Sequence, residues 1–274
     1  MPELPEVETV KRQLSLTIIS KTIVSFFSSG KKLRREIPDL SVLKGQKINN
    51  VFRRNKYLIL ETSNFWIVIH LGMTGKLIVE KDKEIKKHTH FILFLSENTY
   101  LSYEDARRFG SLDIFNKADY LQYRDIILFS KLGIEPLEKE FTLRKVKELF
   151  RSSSLQVKKY LMNSNSICGV GNIYANEVLF ICGINPLKIS KKLTDKEIKL
   201  LFKTITSVLI KAISLGGSSI SDFTHTNGSK GTMQENYFVY ARENQPCKNC
   251  GTSILKLTQG GRSSFYCPHC QSLN

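Results

Sequence analysis

No stretch of the chain holds the roughly 18 consecutive apolar residues that a membrane-spanning helix needs, although 41% of the sequence is hydrophobic. A globular protein without a membrane partner is therefore expected. The N-terminus carries Glu3, Glu6 and Glu8 ahead of its first lysine, the reverse of the basic start of a secretory signal, so the chain is expected in the cytoplasm. No segment repeats with the period of a solenoid. Cysteines number only six in 274 residues, and in a reducing compartment they are not expected to pair as disulfides. Acidic residues are also in short supply: 25 against 41 Lys and Arg, for a net charge of +16. That deficit points to a polyanionic partner. The excess lies in Lys31-Lys32-Leu33-Arg34-Arg35, in Arg53-Arg54-Asn55-Lys56, and among the lysines from Lys188 to Lys199.

What is present begins at the extreme N-terminus, Met1-Pro2-Glu3-Leu4-Pro5-Glu6-Val7-Glu8-Thr9-Val10. Removal of Met1, which the small Pro2 permits, would leave a secondary amine. An α-amino group titrates near ~8, so part of it is neutral at physiological pH and able to attack a carbon electrophile. Glu3 and Glu6 are the carboxylates near enough to move the proton. Attack on a sugar C1′ would give an iminium that acidifies the C2′ hydrogens, and strand cleavage by elimination would follow. The structural alternative for the same residues is a helix start, with prolines in its first turn and carboxylates against its dipole.

Val7, Val10, Leu14 and Ile18 recur at helical spacing, which predicts a helix over residues 5–19. The period then changes. Thr22–Phe27, Lys47–Phe52, Tyr57–Glu61, Trp66–Leu71, Leu77–Glu80, His90–Leu95, Thr99–Tyr103 and Ser111–Phe115 are short, β-branched or aromatic, and separated by polar turns, as in a β-sandwich. Gly133 and Pro136 mark a linker. Helical periods return over Leu143–Phe150, Leu155–Met162, Ile173–Cys182, Asp195–Ser214 and a short Ser219–Phe223, with Thr194 and Glu197 spaced as a capping box. Residues 236–274 revert to short strands around four cysteines. The fold class is thus α+β, with an N-terminal domain over 1–130, a linker over 131–141, a helical domain over 142–235 and a ribbon over 236–274.

Cys247-x2-Cys250 and Cys267-x2-Cys270, separated by sixteen residues, have the spacing that surrounds one structural Zn2+ with four thiolates. Between them Gln259-Gly260-Gly261-Arg262 forms a hairpin tip that presents Arg262 to a polyanion. His70-Leu71-Gly72-Met73-Thr74-Gly75 ends a strand in a glycine-flanked turn with Met73 at its tip, where an apolar side chain suits wedging into a base stack. Glu104-Asp105-Ala106-Arg107-Arg108-Phe109-Gly110 places cations beside an aromatic on a second loop. His88 and His90 stand two apart in a strand, a spacing that puts them on one face without further metal ligands nearby. Gly169-Val170-Gly171-Asn172-Ile173-Tyr174 precedes a helix whose N–H groups suit a phosphate, but Tyr174 stands where a dinucleotide fingerprint needs its third glycine.

The N-terminal run, the Arg-x-x-Lys-Tyr-Leu pattern at Lys56, both loops, the glycine-asparagine turn and the cysteine pairs resemble, in order and over the full length, the bacterial formamidopyrimidine-DNA glycosylases. The resemblance implies a helix-two-turn-helix domain over 142–235 and a monomer acting on double-stranded DNA that contains oxidised purines such as 8-oxoguanine. It implies base excision followed by β,δ-elimination at the abasic site. Pro2 would be the nucleophile and Glu3 the acid/base, with Lys56 and Arg262 aiding elimination. Met73, Arg107 and Phe109 would fill the gap left by the extruded base, while His88, Ser153, Lys158 and Asn172 would hold DNA phosphates. The loop from Gly216 to Thr232 would cover the base. Ala106, Asn163 and Ser152-Ser153-Ser154 depart from the family's usual residues. An endonuclease VIII-like enzyme for oxidised pyrimidines and a catalytically silent zinc-ribbon DNA-binding protein are the alternatives; Leu4 and the Glu104–Gly110 loop favour the purine enzyme, and the intact Pro2-Glu3 start opposes the silent one.

Overall fold

The computed structural model describes residues 1–82, 84–219 and 224–273. They cluster into two compact units, 1–130 with 215–234 and 131–214 with 235–274. Among the described residues no helix is long and apolar enough to cross a membrane.

The first unit opens with helix α1, Leu4–Thr17. Val7, Val10, Leu14 and Ile18 are each no more than 1% exposed, because their spacing places them on one stripe of the helix. Two four-stranded antiparallel sheets follow. One holds β1 (Ile23–Ser28), β6 (Thr89–Leu95), β7 (Thr99–Glu104) and β5 (Lys76–Glu80) in that order. The other holds β2 (Ile48–Arg54), β3 (Tyr57–Thr62), β4 (Phe65–His70) and β8 (Ser111–Asn116). Register sorts the side chains: Leu58 pairs with Ile69 and Leu60 with Ile67, and the latter two continue to Leu112 and Ile114. Leu58, Leu60, Ile67, Ile69 and Leu112 share one core with the α1 stripe and with Phe91, Leu93, Leu101 and Tyr103 of the facing sheet. A period of two requires this separation of faces.

Residues 215–234 return to the same unit. Val79 donates its N–H to the Thr226 carbonyl, and the Gln13 side-chain oxygen accepts from both the N–H and the hydroxyl of Thr226. The helix expected over Ser219–Phe223 lies, from 220 onward, outside the described residues.

The second unit contains α2 (Leu143–Arg151), α3 (Val157–Leu161), α4 (Asn172–Ile181) and α5 (Asp195–Ser214), then the hairpin of β9 (Leu255–Gln259) and β10 (Arg262–Tyr266). The capping box forms as the spacing requires: Glu197 N–H donates to the Thr194 hydroxyl and Thr194 N–H to the Glu197 carboxylate at 2.7 Å. Part of the basic charge read from Lys188 to Lys199 is neutralised at this helix start. Lys188 pairs with Glu197 at 2.7 Å, and Asp195 takes both Lys147 and Arg151.

Candidate active site and nucleic-acid interface

Pro2 is buried directly ahead of α1, and Glu3 occupies the N-cap with extended backbone. The helix dipole there favours a carboxylate. Of the two acids read as proton carriers, Glu6 is committed to backbone: one oxygen accepts the Glu3 N–H at 2.7 Å and the other the Ser218 N–H at 2.8 Å. Glu3 completes this capping box, its side chain facing the Glu6 N–H, and is the acid next to the amine in sequence.

Lys56 lies at the strand end just before the apolar run of β3. It sits in the two-residue turn between β2 and β3, only 7% exposed, because the turn is drawn onto α1. Arg53 makes that link by donating Nε to the Glu8 carboxylate at 3.0 Å and a terminal nitrogen to the Asn55 carbonyl at 2.9 Å. Asn55 takes φ +53, a left-handed conformation that asparagine tolerates. Helix α1 and the lysine turn are thereby fixed to one another.

His70 closes β4 against the Tyr57 ring, 4.7 Å between centroids, and its Nδ1 accepts the Gly72 N–H. Burial, then the cations Lys56, Arg34 and Arg35, hold its pKa down at about 4. The unfolded chain binds this proton near ~6.5, so His70 contributes stability that is whole above that pH and is lost as pH falls toward 4. Between pH 7 and 4.5 the loss should reach about 2.5 kcal/mol. Urea unfolding of wild type and His70→Gln at both pH values checks this; an equal gap between the two proteins at both would remove His70 as the source.

The two loops read as wedges meet. Met73 and Phe109 are 41% and 48% exposed, and the Arg107 guanidinium stacks 4.8 Å above the Phe109 ring. Gly72, at φ +63, admits no side chain, since a Cβ there would lie 2.5 Å from the Gly110 nitrogen. His88 and His90 do not share a face. His88 lies in the turn before β6 and is exposed, whereas His90, inside the strand, is buried, its Nε2 donating to the Asp105 carbonyl.

In the second unit Asn172 takes the first position of α4, after Gly171, where the N-terminal dipole suits an anion. Ser153 and Lys158 are buried. The Ser153 hydroxyl accepts the Leu155 N–H. The Lys158 ammonium donates to the Ser263 carbonyl at 2.8 Å and the Ser264 hydroxyl at 2.7 Å, bracing the hairpin that carries exposed Arg262. Gly260 and Gly261, at φ +59 and +72, make the tight turn. A cleft of about 210 Å3 lined by Lys158, Lys159, Met162, Gln259, Gly260 and Arg262 opens beside it.

The sulfur atoms of Cys247, Cys250, Cys267 and Cys270 all lie within 4.8 Å of one another, a set that fits tetrahedral Zn–S bonds of ~2.3 Å. His269 is exposed and outside this group. Sequence reasoning missed Glu177, 1% exposed, whose carboxylate accepts the N–H groups of Phe238, Val239 and Tyr240 at 2.8 to 3.0 Å. Burial raises its pKa in spite of these bonds. An acid on the inward face of an apolar helix is the one local sign of such a role. Asn176, one residue earlier, accepts the Phe265 N–H of β10.

Comparison with known proteins assigns residues 1–112 to the formamidopyrimidine-DNA glycosylase N-terminal domain, 132–224 to the H2TH domain of the same enzymes, and 244–273 to a zinc finger found in FPG and IleRS. The formamidopyrimidine-DNA glycosylase of Histophilus somni is 41% identical over 273 residues, covering 99% of each chain. That of Cytobacillus firmus is 36% identical over 276 residues, 99% of this chain and all of the other. Among solved structures, the Lactococcus lactis Fpg bound to abasic-site DNA superposes with a TM-score of 0.89 at 36% identity, over 98% of this chain and 99% of that one. MutM in complex with carbocyclic 8-oxo-G containing DNA gives 0.89 and 36%, over 99% and 100%.

Proposed function

The chain belongs to the formamidopyrimidine-DNA glycosylase family, and from that premise we infer that it excises oxidised purines, 8-oxoguanine and formamidopyrimidines, from duplex DNA and cleaves the abasic site it creates. The observation that carries the reading is the buried Pro2-Glu3 start capping α1, kept intact in a chain that matches its relatives from end to end.

With Met1 removed, the Pro2 nitrogen attacks C1′ and the bond from C1′ to the base breaks. Glu3, as acid/base, protonates the base as it departs with the electron pair of the C1′–base bond, then takes the proton from the new C1′–N ammonium and passes it to O4′, so that the C1′–O4′ bond breaks and the ring opens to the iminium. Loss of a C2′ proton then expels the 3′ phosphate, and a second elimination expels the 5′ phosphate. Lys56 and Arg262 serve these eliminations as proton carrier and phosphate partner. Met73, Arg107 and Phe109 occupy the vacated stack, as a base drawn out of the duplex requires. His88 and Asn172 hold phosphates, with Ser153 and Lys158 supporting that surface from within the second unit. Cys247, Cys250, Cys267 and Cys270 hold one structural zinc ion. The place of work is the bacterial cytoplasm, on the nucleoid.

The test is strand nicking of a duplex carrying 8-oxoguanine, beside a matched duplex with an oxidised pyrimidine. Faster nicking of the purine lesion is expected; no nicking of either would return the chain to a non-catalytic DNA-binding role. Phe109→Ala or Arg107→Ala should lower excision from duplex by about tenfold or more while moving affinity for undamaged DNA little, since phosphate contacts dominate nonspecific binding. Equal loss on damaged and undamaged DNA would mark the loop as ordinary structure.

A further inference from the structure

Asp105 is wholly buried, yet its carboxylate lies between the two exposed wedges and holds both. Oδ1 accepts the Thr74 hydroxyl and the Arg107 N–H at 3.2 Å. Oδ2 accepts the Gly110 N–H at 2.8 Å and faces the Tyr103 hydroxyl at 3.3 Å. Thr74 follows Met73, and Arg107 and Gly110 bracket Phe109. The Arg107 N–H also reaches the Thr74 hydroxyl at 3.2 Å, so the turns are laced directly as well as through the acid.

Backbone packing adds to the tie. A Cβ at Gly72 would overlap the Phe109 and Gly110 backbone, and one at Gly110 would overlap the Tyr103 hydroxyl. Arg108, at the loop crest, is held at φ +57, a conformation that costs a non-glycine residue on the order of 1–2 kcal/mol; its N–H bonds the Asp105 carbonyl. The same residue reaches His88, whose carbonyl accepts the Asp105 N–H at 3.0 Å. A buried carboxylate with several charge-assisted bonds resists displacement, since each donor released would leave it unpaired.

We propose that Asp105 is a positioning residue that couples the Met73 and Phe109 wedges, so that they enter the base stack as one body. This deepens the glycosylase reading, and the coupling concerns insertion, a step that precedes chemistry. Two independent wedges would each stabilise the opened stack separately, and deleting both would multiply the single effects. A coupled pair behaves otherwise: removing either apolar tip disables the shared insertion, and removing the second adds little.

The experiment is a double-mutant cycle, Met73→Ala with Phe109→Ala, on the full chain carrying its zinc. The readout is the fluorescence change of 2-aminopurine beside a tetrahydrofuran abasic analogue in duplex DNA, which reports insertion without base release. In wild type the double variant should insert within about threefold of the slower single variant. In an Asp105→Asn background, where an amide N–H2 replaces one acceptor, the two effects should multiply, and insertion with both tips present should slow by about tenfold. In the 8-oxoguanine nicking assay the same substitution should lower kcat more than it raises KM. Should Asp105→Asn fail to fold, Thr74→Val, which removes the hydroxyl bonded to both Asp105 and the Arg107 N–H, is expected to give the same change from coupled to multiplicative behaviour. Multiplicative effects in wild type, or coupling that persists in both variants, would overturn the proposal. Failure of wild type to nick 8-oxoguanine with coupled insertion intact would instead count against the glycosylase reading alone.

Discussion

A protein that retains Met1, or carries a tag ahead of Pro2, should neither nick an abasic duplex nor form a borohydride-stable adduct with it. The reason is electronic: acylation turns the secondary amine into an amide nitrogen without appreciable basicity, and the lone pair that must attack C1′ is delocalised. With Met1 removed, reduction should trap the iminium on the N-terminal peptide. Glu3→Gln gives the contrast. Loss of general acid–base assistance should slow base release by roughly 10²–10⁴-fold, while a preformed abasic site, already an aldehyde with no base to expel, should still be cleaved. The helix should tolerate that change, since a charge at the N-terminus contributes only ~0.3–1 kcal/mol. Adduct formation through Lys56 in a protein with a blocked N-terminus would move the nucleophile into the turn between β2 and β3.

Most of the architecture was legible because local pattern and long-range packing agree. The stripe Val7, Val10, Leu14 and Ile18 is buried as its spacing requires, the Thr194–Glu197 box forms, and the paired glycines turn the hairpin before Arg262. The four thiols converge as two Cys-x2-Cys knuckles. What was not legible rests on contacts between residues far apart in sequence. Nothing near Lys56 announces that Arg53 will pull its turn onto Glu8, 45 positions away. His88 and His90 have the spacing of one strand face, but β6 begins only at Thr89, so His88 stays in the exposed turn and His90 alone enters the sheet. Lys158 was read for a phosphate, and nothing around it in sequence shows that its ammonium also bonds a hairpin more than 100 positions on. Asp105 stood inside a motif already singled out, and Glu177 inside an expected helix. Their importance lies in how many backbone donors the fold delivers to each, a quantity no spacing encodes.

Removing zinc should release the hairpin that carries Arg262 and leave the β-sandwich folded. Four thiolates contribute on the order of 10–16 kcal/mol of metal-linked folding energy in small zinc domains, and little else in the ribbon compares with that. Its apolar cluster is small: Phe180, Val239, Ile254 and Phe265 with the buried cysteines themselves, and the partly buried Phe238 and Tyr240 against them. The other anchors include polar, directional ones: Lys158 on Ser263 and Ser264, Asn176 on Phe265, Glu177 on three successive N–H groups, and Gln259 and Gln271 on the 184–186 carbonyls. Those anchors work only while the ribbon keeps its path. Once it loosens, Glu177 becomes a buried carboxylate without donors, at a cost of roughly 1–3 kcal/mol or more, and the disturbance passes into α4 where Asn172 begins the helix. Cys247→Ser or Cys270→Ser should therefore release stoichiometric zinc to a colorimetric chelator and weaken binding to a lesion duplex. Arg262→Ala, which keeps the metal, should lower the dependence of log K on log salt by about one phosphate contact. The cysteine variants should lower it further, because Asn172 is disturbed along with Arg262. The first unit's core, built on α1 and both sheets, does not draw on the ribbon cluster, so its unfolding transition should survive chelation. Wild-type affinity in a zinc-free protein would show that the hairpin holds Arg262 in place without the metal.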